Sequence, residues 1–159
     1  MVVIQATLTL FCLFIVAFST TLAVGNPIKY QYCEGMKFQG EVSSVDISPC
    51  PSQPCVLHKG TKVTATIKFT PFVTVTNGTL EVDGIIGGKF KVKFPLPNPD
   101  ACKGHNLVCP LKAGKAYTLI GTLYVNKIYP NTPLDAQMIF KLPEDKYLYC
   151  VHFRARIAN

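Results

Sequence analysis

The chain has 159 residues, of which 48% are hydrophobic and 16% are charged. This length fits one domain, and the composition excludes a disordered or fibrous protein. The sequence contains 12 prolines, 11 glycines and no tryptophan. Runs rich in Val, Ile, Thr, Phe and Tyr argue against a helical bundle and favour many short strands joined by turns.

The beginning of the chain has the composition of a secretory signal. No charged side chain occurs in residues 1–28, and the apolar block Leu8–Ala17 is followed by a polar run. Small residues mark two cleavage sites, after Ala23 or after Gly25, and the second is preferred. We therefore expect residues 1–25 to be a signal peptide. An uncleaved anchor is the alternative, because the apolar stretch is nearly long enough to span a bilayer.

Cysteine spacing agrees with secretion. The sequence has 7 cysteines, and loss of Cys12 with the signal would leave an even number, which predicts disulfides in an oxidising compartment. Two pairs bracket short turns, PSQP and KGHNLV, and each predicts a local bridge, which leaves the first and last cysteines to join the two ends of the domain. The predicted pairs are Cys33 with Cys150, Cys50 with Cys55, and Cys102 with Cys109.

A glycosylation sequon, Asn77-Gly78-Thr79, fits the same compartment. It falls between two strand-like runs, where a glycan at Asn77 would point to solvent. An unused sequon is the alternative.

Alternation of apolar and polar residues predicts the strands. In residues 62–70, Val63, Ala65, Ile67 and Phe69 share one face, which is the period of a strand with one side in water. Similar runs cover residues 79–86, 89–94, 117–125, 134–142 and 147–157, with a further strand around Val42. The sequence therefore predicts an all-β sandwich of about seven strands in two facing sheets.

Common catalytic patterns are missing from the sequence. It contains no H-E-x-x-H and no G-x-S-x-G, and three bridges would leave no cysteine as a nucleophile. The segment Gly84–Lys89 superficially resembles a phosphate loop, but Asp83 and Phe90 do not fit that motif, so a bulge or hairpin is predicted. No C-x-x-C occurs and the three histidines are scattered, so we expect no metal, no cofactor and no enzyme.

The net charge of +7 is spread along the chain, and only Lys89, Lys91 and Lys93 cluster on one strand face. A solvated face is one interpretation, and attraction to an anionic lipid surface or a ligand carboxylate is the other. Nucleic acid is not an expected partner, because no motif of interleaved aromatic and basic residues occurs.

The segment Ser48–Gly60, SPCPSQPCVLHKG, closely resembles the signature of the Niemann-Pick type C2 proteins in the ML-domain family of lipid-recognition proteins. The likeness continues through Phe94–Pro97, Cys109-Pro110, Tyr129-Pro130 and Tyr149-Cys150. It covers essentially the whole mature chain, residues 26–159.

This resemblance implies an immunoglobulin-like two-sheet sandwich that holds one lipid between its sheets and performs no catalysis. Members are soluble carriers of sterols or other hydrophobic molecules, and the lysosomal type passes cholesterol to a membrane partner. By position, the resemblance implies a pocket lined by Val63, Val92, Phe94, Val125, Tyr129, Pro130, Met138 and Val151. Ordinary core packing is the alternative for these residues, and it is favoured for Leu119, Phe140 and Phe153. Gly121 would either leave room between the sheets or mark a bulge.

The resemblance has two departures at the pocket. Met138 and Val151 occupy positions where the vertebrate cholesterol carriers have tryptophan, and a thioether makes a more pliable wall that accepts flexible chains. We therefore expect a secreted or lysosomal carrier, monomeric, of a cholesterol-like sterol or another hydrophobic ligand. The alternatives are an extracellular carrier of fatty acids or hydrophobic chemical signals, and a non-lipid adhesion or innate-immune recognition domain.

Overall fold

The computed structural model describes residues 27–159, and the predicted signal peptide lies outside the described residues. This part of the chain forms nine strands, and it contains no helix long and apolar enough to cross a membrane. The strands are β1 (Gln31–Tyr32), β2 (Gly40–Ser48), β3 (Cys55–His58), β4 (Lys62–Pro71), β5 (Thr79–Ile86), β6 (Phe90–Phe94), β7 (Tyr117–Tyr124), β8 (Thr132–Lys141) and β9 (Tyr147–Ala158).

The strands form two sheets. The larger sheet has six strands in the order β1-β9-β8-β5-β6, with β3 pairing in parallel along β9, and the smaller sheet has the order β2-β4-β7. All other pairings of named strands are antiparallel. The all-β, immunoglobulin-like sandwich is confirmed, and β1 and β3 are two short strands that the sequence did not predict.

Burial follows the predicted alternation on the strands that face the core. On β4, Val63, Ile67 and Phe69 are at most 8% exposed, whereas Lys62 and Lys68 are exposed. Such alternation places one apolar row against the opposite sheet and one polar row in water. The predicted hairpin is also present: β5 and β6 pair directly, and Gly87 and Gly88 turn the chain with φ values of 59° and 70°.

Backbone contacts connect the two sheets at particular points. The Gln39 amide donates a hydrogen bond to the carbonyl of Tyr147 in the larger sheet. The Gln39 carbonyl accepts a hydrogen bond from the amide of Phe72, which directly follows β4 of the smaller sheet. At the other end, the Gly60 amide donates to the Val125 carbonyl at 2.7 Å and extends the β4–β7 ladder, whereas the Lys59 amide, one residue earlier, donates to the Ala158 carbonyl in the larger sheet at 2.8 Å. Within the described residues, no backbone hydrogen bond joins edge strand β6 to edge strand β7.

Three disulfides are present, with the predicted pairing of Cys33 with Cys150, Cys50 with Cys55, and Cys102 with Cys109. The first closes a sequence separation of 117 residues and fixes the segment around β1 to β9. The second joins Cys50, just after β2, to Cys55, the first residue of β3, so it links the smaller sheet to the larger one.

Candidate functional site

An apolar cavity of about 90 Å³ lies between the two sheets. Both sheets contribute to its wall, and the adjoining loops contribute Leu96, His105, Val125 and Tyr129. From the strands, the lining residues include Ile47, Leu57, Val63, Ile67, Val82, Phe94, Leu119, Gly121, Leu123, Leu134, Met138, Tyr149 and Phe153.

The two ends of this cavity differ in exposure. At the end that we call the opening, Leu96, Leu123 and Tyr129 are partly exposed, and Tyr129 packs edge-on to Phe94 with ring centroids 5.1 Å apart. An edge-on aromatic pair of this kind is a stable packing arrangement, so the two rings form one side of the opening.

At the opposite end, which we call the closed end, three aromatic rings pack together. The ring of Tyr149 lies 5.4 Å from that of Phe69 and 5.7 Å from that of Phe140, measured between centroids. All three residues are at most 1% exposed. This end of the sandwich is therefore sealed from solvent.

Few polar groups belong to the wall. His105 is 8% exposed, and its two ring nitrogens lie 3.3 Å from the Ile120 carbonyl and 2.9 Å from the Asn98 carbonyl. The imidazole therefore fixes the loop that contains it to β7. The Tyr149 hydroxyl has no hydrogen-bond partner among the described residues, and burial raises the pKa of this phenol.

Two glycines on facing sheets have different surroundings. A Cβ atom added to Gly121 on β7 would lie 3.7 Å from Leu119 and 3.9 Å from His105, which is ordinary contact. One added to Gly84 on β5 would lie 2.7 Å from the Phe94 ring and 2.8 Å from Leu134. Gly121 therefore leaves room beside the cavity, whereas the missing side chain at Gly84 lets the Phe94 ring approach the backbone of β5 closely.

The structure brings five of the eight predicted pocket residues into the wall. They are Val63, Phe94, Val125, Tyr129 and Met138. Two residues assigned to core filling, Leu119 and Phe153, also line the cavity, whereas Phe140 packs in the aromatic cluster instead.

The structure does not place the other three predicted residues in the wall. Exposure along β6 rises from 8% at Phe94 to 39% at Val92 and 71% at Phe90, because this edge strand leaves the core towards its hairpin. Pro130 is exposed, and Val151 is fully buried in the core outside the cavity wall. Alternation predicts the face of a residue but not what covers that face.

Sequence reasoning missed His105, which is a buried part of the wall. Its position beside a disulfide turn gave no indication of burial. The loop that follows β6 folds back over β7, and only this tertiary contact brings the imidazole inside.

The predicted lysine face is partly neutralised by acidic residues. Lys91 Nζ lies 2.7 Å from Asp83 Oδ2, and the side chain of Asp83 is fully buried. Lys93 Nζ lies 3.8 Å from Glu81 Oε2. Because each of these ammonium groups has a carboxylate neighbour, the face attracts anions less strongly than three unpaired lysines would.

The size and chemistry of the cavity limit what it accepts. Its wall suits hydrocarbon, but its volume of about 90 Å³ is below the roughly 300–1,000 Å³ of typical ligand sites. A lipid-sized molecule would enter only if the sheets move apart. No three His, Cys, Asp or Glu side chains come together as metal ligands in residues 27–159.

The molecule is a two-sheet β-sandwich with an apolar cavity between its sheets. The family model of the ML domain matches residues 27–157, and the chain belongs to this family.

Comparisons with known proteins agree with this assignment. The chain is 36% identical over 136 residues to the NPC intracellular cholesterol transporter 2 of Mus musculus, covering 84% of this chain and 87% of that protein. It is 38% identical over 140 residues to the ecdysteroid-regulated 16 kDa protein of Manduca sexta, covering 87% and 94%. The crystal structure of a Niemann-Pick type C2 protein from the Japanese carpenter ant matches with a TM-score of 0.74 and 29% identity, over 82% of this chain and 100% of that chain.

Proposed function

We propose that this protein is a non-enzymatic carrier that holds one hydrophobic ligand, a cholesterol-like sterol or another lipid, between its two sheets. The observation that carries the proposal is the apolar cavity with walls from both sheets. The names of the relatives that transport cholesterol support a sterol as one candidate ligand.

The energetics favour a lipid ligand. Burying an acyl chain gains about 0.8 kcal/mol per methylene, or about 13 kcal/mol gross for an eighteen-carbon chain. Association, chain ordering and separation of the sheets subtract several kcal/mol. The remainder is sufficient for micromolar binding without any polar contact.

Loading delipidated protein with a fluorescent sterol and, separately, a fluorescent fatty acid tests the proposal. We expect saturable binding of at least one of them at one molecule per protein, counted by native mass spectrometry. No saturable binding of either ligand would refute the carrier function.

A pair of variants on the same strand face locates the ligand. Phe94 is part of the wall, whereas Val92 is 39% exposed and outside it. Phe94→Trp should weaken ligand binding, whereas Val92→Trp should leave it unchanged. If Phe94→Trp only destabilises the fold and binding stays the same, the ligand does not occupy this cavity.

A carrier of fatty acids or hydrophobic chemical signals is the second candidate, and Met138 in the wall favours it. A thioether side chain adapts to flexible ligands more readily than a rigid aromatic wall does. Mass spectrometry of lipids extracted from protein of the natural source separates the two candidates. The adhesion or innate-immune alternative requires a filled core, and the cavity argues against it.

The proposal includes secretion, with action in extracellular fluid or the lysosomal lumen, and a glycan on Asn77, which is exposed. A secretory cell line that expresses the full sequence should release into the culture medium a protein that begins near residue 26. Its mobility shift on deglycosylation should disappear in Asn77→Gln. Intracellular retention of the unprocessed chain would contradict this part of the proposal.

A transient membrane contact is also part of the proposal, with the protein otherwise monomeric. Ile128 is 82% exposed and is adjacent in sequence to Lys127 and Tyr129, so an apolar and a basic side chain flank the opening. This arrangement suits an anionic bilayer surface better than the partly neutralised lysine face does. Ile128→Asp should slow ligand transfer to anionic vesicles without changing affinity in solution.

A further inference from the structure

Tyr149 carries a buried polar group that the proposed function does not use. It belongs to the cavity wall and is 1% exposed, and its hydroxyl has no hydrogen-bond partner among the described residues. An unpaired buried hydroxyl is destabilising, so such groups normally have a partner.

Other tyrosines of the domain follow that rule. The Tyr30 hydroxyl donates to the Val42 carbonyl at 2.7 Å, the Tyr32 hydroxyl accepts from the Val42 amide at 2.6 Å, and the Tyr117 hydroxyl accepts from the Lys112 amide at 2.7 Å. The Tyr149 hydroxyl differs from these three in having no partner among the described residues.

An internal water is a poor partner for this hydroxyl. A buried water needs two to four polar partners, and the aromatic neighbours Phe69 and Phe140 offer none. The other polar members of the wall are engaged elsewhere. Both ring nitrogens of His105 face carbonyl oxygens, and Glu81 lies next to Lys93.

The electrostatics of the closed end determine which kind of ligand group can accept a hydrogen bond from the Tyr149 hydroxyl. No lysine or arginine belongs to the cavity wall among the described residues, so a carboxylate at this depth would be an unpaired buried charge. Burial raises the pKa of Tyr149, so its hydroxyl stays protonated and can donate a hydrogen bond. A neutral oxygen satisfies these conditions.

We propose that Tyr149 is a specificity-determining residue that donates a hydrogen bond to a neutral hydroxyl or carbonyl oxygen at the innermost end of the bound lipid. This inference rests on the proposed carrier function and adds the orientation of the ligand to it. The ligand has an oxygen at the end that enters first, with hydrocarbon between this oxygen and the opening. A chain with an oxygen at both ends, or a sterol whose oxygenated end lies inside, has this chemistry.

The test uses two tyrosine variants and two pairs of probes. The two members of each pair of probes differ in oxygen content at one end. The probes are hexadecanoic acid with 16-hydroxyhexadecanoic acid, and 5-cholestene with cholesterol, each measured by displacement of a fluorescent ligand. The variants are Tyr149→Phe and, as the matched control, Tyr117→Phe. The control also loses one hydroxyl near Phe69, with ring centroids 6.1 Å apart, but Tyr117 lies outside the cavity wall.

We expect Tyr149→Phe to weaken the oxygenated member of at least one pair by about tenfold, the equivalent of one buried hydrogen bond, and to leave its partner within about twofold. The pair that responds identifies a chain or a sterol as the source of the oxygen. Without ligand, Tyr149→Phe should melt no lower than the wild type. Tyr117→Phe should melt lower, because it loses the bond from Lys112, and should show no selectivity change.

Equal effects of Tyr149→Phe on both members of both pairs would overturn the inference while leaving the carrier function intact. Failure of the wild type to bind any of the four probes would overturn both. A melting temperature of Tyr149→Phe well below that of the wild type would also contradict the inference, because the hydroxyl would then have a partner inside the protein.

Discussion

Adding one methyl group at Gly121 or at Gly84 should have opposite consequences for stability. Neither glycine has a positive φ, so alanine is compatible with the backbone at both positions. At Gly121 the new methyl would be in ordinary contact at 3.7 Å, and reduced freedom of the unfolded chain should stabilise Gly121→Ala by about 0.4–1 kcal/mol. At Gly84 it would lie 2.7 Å from the Phe94 ring, and overpacking should cost about 1–3 kcal/mol.

Thermal unfolding followed by circular dichroism measures this difference. Taking about 4 °C per kcal/mol for a domain of this size, Gly84→Ala should melt roughly 4–12 °C below the wild type. Gly121→Ala should melt at or above it. Equal destabilisation by both variants would refute the existence of free space next to Gly121.

A larger side chain at Gly121 tests binding by the same geometry. A leucine side chain would occupy the space of about four methylene groups of a ligand, at about 0.8 kcal/mol each. Gly121→Leu should therefore weaken lipid binding by about 3 kcal/mol, or roughly 100-fold. Unchanged affinity in a folded Gly121→Leu protein would mean that the ligand does not lie beside β7.

Three further perturbations address the fold. Lys91→Met should destabilise the protein by about 1–3 kcal/mol in urea unfolding, because it leaves the buried Asp83 carboxylate without its cation. Replacing both Cys33 and Cys150 with alanine should lower the free energy of unfolding by about 5 kcal/mol, because chain entropy favours the unfolded state once a long loop is no longer closed. Guanidinium unfolding measures this loss. The pKa of Asp100 is lowered, chiefly because the Cys102 amide donates a hydrogen bond to its carboxylate. The ionised carboxylate therefore stabilises the folded protein fully above the unfolded pKa of about 3.9, and this contribution is lost as the pH falls through the lower pKa of the folded state. Asp100→Asn should therefore flatten the stability profile below pH of about 4, measured by urea unfolding across that range.

Matched controls exist for two of these perturbations. Lys93→Met removes an exposed lysine at 3.8 Å from its carboxylate and should change stability by less than about 1 kcal/mol. Opening the Cys50–Cys55 disulfide, with a sequence separation of 5, should cost about 2 kcal/mol. Equal losses within either pair would contradict the burial or loop-length argument.

Strand positions were predictable because the long strands alternate between buried and more exposed residues over much of their length, although β9 buries both faces from Leu148 to Val151. The alternation in residues 62–70 predicted a strand observed as Lys62–Pro71, and that in residues 147–157 predicted one observed as Tyr147–Ala158. The short strand Cys55–His58 was not predictable, because four residues show no clear period and its parallel partner lies far along the chain.

The cavity wall was only partly predictable, for a different reason. Alternation identifies inward-facing residues such as Val63 and Met138, but it cannot distinguish a cavity wall from a filled core. Phe153 lines the cavity, whereas Val151, two residues earlier on the same face of β9, is packed in the core. That distinction depends on which side chains of the opposite sheet lie above each position.

The distribution of backbone hydrogen bonds between the sheets has a consequence for motion. Gln39 and the consecutive residues Lys59 and Gly60 tie the sheets together, whereas edge strands β6 and β7 have no such bond between them in the described part of the chain. The loop between β6 and β7 accepts hydrogen bonds from the Leu80 and Ile120 amides, one in each sheet, so we expect the sandwich to open between β6 and β7 beyond this loop while every strand ladder remains intact. Ligand uptake should leave amide hydrogen exchange in the central strands β8 and β4 unchanged and should slow exchange mainly along β6 and β7, so the folded core would not have to unfold, even locally, to admit its ligand.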